Sequence, residues 1–383
     1  ARKHPCEASR DGVKLKGRRL SAPKGKPMLK MNRRTLLKAG AASVAASSFA
    51  TPLIAQSRSL KVGSYGGYFE DSFKSFVYPE FTAATGIEVE SVTQPNSADW
   101  LVTMQQAASA GTVPTDISLY GRQQMIKASR IGGLIAPLNV SAIGNASNLD
   151  SYFVFEGPDG PQGVGAMSWF TAMVFNPNEV ETPASWADFW DTDTFEASLG
   201  LSNVYSSGLL DITSATFFEG ESTMMSDEGI LAIIEKVREI KPNVTLWWNA
   251  ESQMEQGMKN GDVIGGQYYL DVANLMASDG FPIQPTFPKE GNLQDYGSWC
   301  LSEGSEKSEE AAEFMNFSCD PATQALMSRN IGTAPLVDQS ATDLTDEEFA
   351  FVSGSPSIKP AYEAYLDNET FIKESWDKML AES

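Results

Sequence analysis

Histidine occurs once in the 383-residue sequence, at His4, and cysteine only at Cys6, Cys300 and Cys319. The body of the chain therefore has no Ser-His-Asp or Cys-His relay and no histidine-based metal site. GVGAMS at 163–168 fits only the first half of a dinucleotide fingerprint: Ser168 stands where the third glycine belongs, and a strand-like run follows. DTDTFE at 191–196 begins like a calcium loop but offers Phe195 and Glu196 where an acid and a glycine are needed. Neither G-x-S-x-G nor a phosphate-loop G-K-[ST] occurs after residue 57. Carboxylate pairs abound, but among so many acids any spacing arises by chance. What remains is the chemistry of aromatic rings. Tyr65, Tyr68, Trp247, Trp248, Tyr268, Tyr269, Tyr296 and Trp299 fall at strand ends or loop edges. Any one of them alone reads as core packing. As a set they imply a ring-lined cleft, where each ring over a cation contributes about 0.5–2 kcal/mol.

The elements that must position these rings are legible. In KVGSYGGYFEDSF (61–73) a β-prone run stops at Gly66-Gly67 between two tyrosines, and helical spacing follows at Phe73, Phe76, Val77 and Phe81. IEVESV alternates as a strand, 99–110 is an amphipathic helix, and DISLY is a third strand. This β-α-β-α-β order predicts a parallel sheet with helices on its faces and a ligand site at the carboxyl ends of its strands. GVGAMSWFTAMVFNP and LGLSNV read as strands, ASWADFWD as a helix start, and 227–240 as a helix on Ile/Val spacing. GDVIGGQYY is a strand, IQPTFPKEG an extended return, and helices follow at 306–316, 321–328 and 371–380. With no long Pro/Ser linker, the second domain is expected to be inserted into the first through paired strands crossing near 168–176 and 288–296.

The first 57 residues hold 13 Lys/Arg and two acids, leaving the remainder at about −31. Such a field repels nucleic acid and anionic membrane surface. MNRRTLLKAGAASVAASSFATPLIAQS has paired arginines, a short apolar stretch and a small residue at Ala55, the pattern of a cleaved export signal. NRRTLLK resembles the twin-arginine signal, departing at Asn32 and Leu36, with general secretion as the other route. Met31 is the expected start, and 1–55 are set aside as an upstream arm plus signal peptide. In an oxidising compartment Cys300 and Cys319 could pair or remain two buried thiols.

Taken in order, SLKVGSYGGYFEDSFKSFVYPEFTAATGIEVE, PTDISLY, PASWADFWD, KNGDVIGGQYYL, FPKEGNLQDYGSWCLSEGS and NIGTAP resemble the spermidine/putrescine-binding group of periplasmic solute-binding proteins. The resemblance runs across nearly all of 58–383. It implies an α/β, two-lobe periplasmic binding protein fold (type II), with 58–168 and 292–330 in lobe I and 169–291 and 331–383 in lobe II. It also implies a monomer in the periplasm that closes on one small solute, needs no cofactor, is not an enzyme, and delivers to an inner-membrane ABC permease. The family's cleft aromatics fall on Tyr65, Tyr68 and Tyr269. Its residues after the third strand fall on Gly121 and Gln123, with Arg122 between. Its polyamine-gripping carboxylates fall on Val204 and Ser207, and a further cleft Trp and Asp fall on Asp295 and Gly297. The scaffold carries over and the polyamine grip does not. Asp295 and Glu363 remain to hold one amine, and Arg122 could fork a carboxylate, so a γ-amino acid or betaine is expected over spermidine. The expected ligand set is Tyr65, Tyr68, Arg122, Ser207, Trp247, Trp248, Tyr269, Asp295 and Tyr296. Ferric-iron-binding proteins are also similar and carry adjacent tyrosines where this chain has Tyr268-Tyr269, although strand alternation would turn one of the two inward. An enzyme on the same scaffold is the third reading.

Overall fold

Eleven strands form one sheet: β1 (Ser59–Tyr65), β2 (Glu88–Gln94), β3 (Ile117–Gly121), β4 (Val154–Gly157), β5 (Gly160–Phe175), β6 (Leu199–Ser202), β7 (Val244–Trp248), β8 (Gly265–Tyr269), β9 (Gln284–Thr286), β10 (Asn292–Leu301) and β11 (Ser357–Ile358). Their order is β2-β1-β3-β10-β5-β8-β6-β7, with β4 and β9 on β5 and β11 on β10. This computed structural model describes residues 58–95 and 98–382. The expected export signal and start at Met31 lie outside the described residues.

The flanks of the sheet are parallel, as the β-α-β-α-β order predicts: β1 pairs in parallel with β2 and β3, and β6 with β7 and β8. The middle is antiparallel. The 16-residue β5 lies against β10 from Val164 to Thr171 and then against β8 from Thr171 to Phe175. One continuous strand thus belongs to both halves of the sheet, and β10 runs back beside it. These are the crossing strands expected near 168–176 and 288–296. A slip in register between Gly297 and Ser298 bends the pair at the crossing.

Two glycines fix the loops that approach this crossing. Gly67 has φ 71° and turns the chain from β1 into the helix at Tyr68, whose axis continues to Thr85 through a π-helical turn at Phe73–Val77. Gly208 has φ 94° and opens the helix Leu209–Phe217, and a Cβ there would lie 2.2 Å from Leu293 of β10. Gly208→Ala combines a left-handed backbone with that clash. It is expected to destabilise by about 1–3 kcal/mol, read as a lower melting temperature.

Elements that the sequence left out include the helices Arg122–Ile131, Leu209–Phe217, Leu270–Ser278, Asp346–Val352 and Tyr362–Asp367, and strand β7, which follows the turn at Lys241–Asn243. ASWADFWD forms a 3-10 turn, Trp186–Trp190, held by a capping box between Ser185 and Asp188. The final helix, Glu369–Ala381, packs on Asp227–Ile240, and its Trp376 indole donates to the Asn203 carbonyl at 2.7 Å.

Candidate functional site

Asp295 stands at the crossing, opposite Trp169 of β5. Directly opposed residues share a face of the sheet, and the period of two adds Thr171 and its β8 partner Tyr269 to that face. The carboxylate is half-buried. One oxygen accepts from the Tyr362 hydroxyl at 2.7 Å, the other from the Tyr296 amide at 2.8 Å, and among the described residues no cation pairs with it. Burial pushes the carboxyl up to about 6, against the lowering influence of the Tyr362 hydroxyl, the Tyr296 amide and Arg122.

Rings surround this charge. Tyr65, at the end of β1, is 7 % exposed and bonds to the backbone of Gly121; burial raises its phenol and the Asp295 charge raises it further. Tyr269 ends β8; burial, Glu251 and Asp295 push its phenol up to about 12. Trp169 is half-buried on the opposing strand. Tyr362 opens the helix Tyr362–Asp367, whose seat is set by another acid, this one buried. Asp211, 4 % exposed, accepts from the Ala361 amide at 2.8 Å and the Tyr365 hydroxyl at 2.7 Å.

Arg122 opens the helix Arg122–Ile131 directly after β3. Its guanidinium donates to the Tyr296 hydroxyl and lies 5.0 Å from the ring centre of Phe155 and 5.5 Å from those of Tyr152 and Tyr296. The Tyr296 hydroxyl in turn donates to the Tyr152 carbonyl at 2.9 Å. Arg122 is close enough to Asp295 to lower its pKa, yet the two form no direct ion pair. The crossing strands therefore bring together a lone carboxylate, a ring wall and a cation at some remove.

Of the residues expected from the sequence, Tyr65, Arg122, Tyr269, Asp295 and Tyr296 meet here, with Tyr296 fully buried as the support of Arg122. The others sit elsewhere. Tyr68 is 65 % exposed, its hydroxyl 3.4 Å from the carbonyls of Asn330 and Ile331. The Ser207 hydroxyl folds back onto the Val204 carbonyl at 2.7 Å. Trp247 stacks edge-on against Trp376, and Trp248 packs into a small core with Tyr268, Met254 and Val263. Glu363 pairs with Arg130 at the surface.

The adjacent tyrosines diverge. Tyr268 is fully buried and its hydroxyl donates to the Glu251 carbonyl at 3.3 Å, while Tyr269 faces the crossing. A pair of phenolates chelating one ferric ion is therefore corrected to one core tyrosine and one wall tyrosine, and no metal-ligand group of three acids, cysteines or histidines occurs among the described residues. Cys300 and Cys319 are both free and buried, the Cys319 thiol pushed up to about 12 by burial. Trp169, Asp211, Tyr362 and Tyr152 escaped the sequence reading. Trp169 sits in an apolar run with no alternation to mark its face, and YEAY at 362–365 carries no cap to mark its helix. Two surface hollows of about 850 and 540 Å³, beside Gln253 and beside Asn316, contain none of the residues around Asp295.

Parallel strand groups joined by antiparallel crossing strands, with a charged site at the crossing, define a two-lobe α/β binding protein of the type II periplasmic class. The family of bacterial extracellular solute-binding proteins matches over residues 77–351, and the chain belongs to it. The chain is 24 % identical over 293 residues to the gamma-aminobutyric acid-binding protein of Pseudomonas aeruginosa, covering 76 % of this chain and 80 % of that one. It is also 24 % identical over 311 residues to the spermidine/putrescine-binding periplasmic protein of Salmonella typhimurium, covering 79 % and 83 %. An ABC transporter substrate-binding protein from Bradyrhizobium japonicum has a similar fold, with a TM-score of 0.71 at 19 % identity over 84 % of this chain and 99 % of that one.

Proposed function

We propose that the protein is the solute-binding subunit of an ABC importer and captures a small zwitterion of the γ-amino acid type, exported to the periplasm and handed as a monomer to a membrane permease. The observation that carries this is Asp295: a half-buried carboxylate beside Tyr65, Trp169, Tyr269 and Tyr362 with no cation paired to it among the described residues. An ammonium group supplies that cation. Hydrogen bonds to an ionised group are worth about 1.5–3 kcal/mol, and rings over the charge add to them. Arg122 accounts for the other end. It makes no ion pair with Asp295 yet influences its charge, and from beside Tyr296 it is free to take the carboxylate of a solute whose ammonium sits on Asp295. A polyamine has no anionic end to offer it, and the positions aligned with the polyamine-gripping acids, Val204 and Ser207, are uncharged. The relative that binds gamma-aminobutyrate supports the same choice. The phenols and carboxylates serve recognition rather than turnover, so the solute leaves unchanged.

The test is calorimetry with γ-aminobutyrate, glycine betaine, putrescine and spermidine, paired with solution scattering. The γ-amino acid should bind tightest and compact the protein by closing one half of the sheet, with its helices, on the other about β5 and β10. At 100 times its dissociation constant it should stabilise by about 2.7 kcal/mol. Tight spermidine binding that survives Arg122→Ala would sink the choice of solute. Stabilisation without compaction would count against the hinge.

A further inference from the structure

We infer that Lys359 is a second anion-binding residue, and that the short segment from Lys359 to Tyr362 reads both ends of the solute and so rejects diamines. This deepens the proposal above and rests on it. From residue 58 onward the chain carries about −31, and nearly every base is neutralised. Among the described bases only Lys61, Arg122 and Lys359 meet neither a carboxylate nor a backbone carbonyl. Lys61 lies at the far, amino-terminal end of β1. The other two converge on one ring. The Lys359 ammonium lies 3.8 Å from the ring centre of Tyr152, and the Arg122 guanidinium lies 5.5 Å from it. Two unpaired cations brought to one ring, in a chain so rich in acids, leave a place for an anion.

The backbone explains how Lys359 is held there. It follows β11, whose Ser357 and Ile358 lie beside Asn292 and Leu293 of β10. Two residues later the Ala361 amide is tied to Asp211, and the Tyr362 hydroxyl is tied to Asp295. One stretch anchored at both ends thus sets a cation beside Arg122 and a hydroxyl on the carboxylate that takes the ammonium. The Tyr152 phenol feels Arg122, Asp295 and the exposed Glu221, which puts the positive and negative ends of the site within electrostatic reach of one ring. A zwitterion matches both ends. A diamine seated on Asp295 would point its second ammonium at Arg122 and Lys359, and like charges suppress the wrong partner.

The test is calorimetry of γ-aminobutyrate, its methyl ester and putrescine against the wild type, Lys359→Gln, Lys359→Glu and, as the control for the ammonium end, Asp295→Asn. Lys359→Gln should weaken γ-aminobutyrate about tenfold and reduce the wild type's preference for it over the ester, which keeps the ammonium but lacks the carboxylate. Lys359→Glu should shift the ratio of γ-aminobutyrate to putrescine affinity toward putrescine by more than tenfold. Because Lys359 is exposed, both variants are expected to melt as the wild type does. Should the Glu variant fail to fold, the Gln variant with the acid and its ester decides. Unchanged ratios in the Lys359 variants, with binding lost in Asp295→Asn, would overturn the role of Lys359 and leave the ammonium site standing. Unchanged binding in Asp295→Asn, or no heat from any compound with the wild type, would overturn both.

Discussion

Asp295→Asn should weaken binding of the solute by about 2–5 kcal/mol, the range for removing one member of a buried, hydrogen-bonded charge pair. Asparagine keeps the shape, and its one oxygen can still accept from the Tyr362 hydroxyl but not also from the Tyr296 amide, so the loss combines the charge with one hydrogen bond. The pH dependence gives a second, independent readout. Burial raises the empty site's carboxyl to about 6, from an ordinary value of 3.8. Only the ionised form balances an ammonium. Wild-type affinity should therefore be level above pH 6 and fall toward tenfold for each further pH unit below it, while Asp295→Asn stays flat. Without solute the sign reverses. A raised folded-state pKa means the native protein holds its proton longer than the unfolded chain. Asp295 then favours the fold fully below 3.8, and that contribution is lost as pH rises through 6. Solute and proton compete for one carboxylate, so an affinity that rises on acidification would refute the assignment of the ammonium to Asp295.

The scaffold was legible in the sequence because it rests on periodicity and punctuation. Phe73, Val77 and Phe81 mark a helix by spacing, Gly86 stops it with φ 71°, and EVESV alternates toward the next strand. Helix 227–240 matched to the residue because Ser226 caps it and Ile230, Ile233, Ile234 and Val237 form one buried stripe. The candidate site was legible where a strand end carried a ring or a charge, as at Tyr65, Arg122 and Tyr269, and at Asp295 inside β10. Its other members depend on contacts far along the chain. Tyr362 reaches Asp295 across 67 residues, and Tyr365 reaches Asp211 across 154. No local pattern announces such a pairing. Trp247 and Trp248 show the converse error: at the edge of the sheet they resemble cleft rings, yet one stacks on the last helix and the other fills the small core. Strand alternation, which also separates Tyr268 from Tyr269, was the better guide there.

Asp211 gives the largest expected change in stability. It lies in the first turn of the helix Leu209–Phe217 and holds the start of the helix Tyr362–Asp367 by two hydrogen bonds, so it carries the seat of Tyr362 without itself reaching the crossing. Asp211→Ala leaves the Ala361 amide and the Tyr365 hydroxyl buried without an acceptor, at about 1–3 kcal/mol for each group. The loss should be about 3–5 kcal/mol, with solute affinity falling as well because Tyr362 loses its anchor. Asp211→Asn separates charge from hydrogen bonding. Burial pushes the Asp211 carboxyl up to about 7, so carrying the charge above neutral pH costs the fold on the order of 4 kcal/mol. As a raised pKa, this contribution is intact below 3.8 and is lost as pH rises through 7. The amide carries no charge at any pH, and its one oxygen satisfies only one of the two donors. Melting curves should therefore place Asp211→Asn well below wild type at pH 5 and close to it, or above it, at pH 8. A gap independent of pH would mean that Asp211 keeps one protonation state throughout, and that its hydrogen bonds alone hold the helix Tyr362–Asp367 in place.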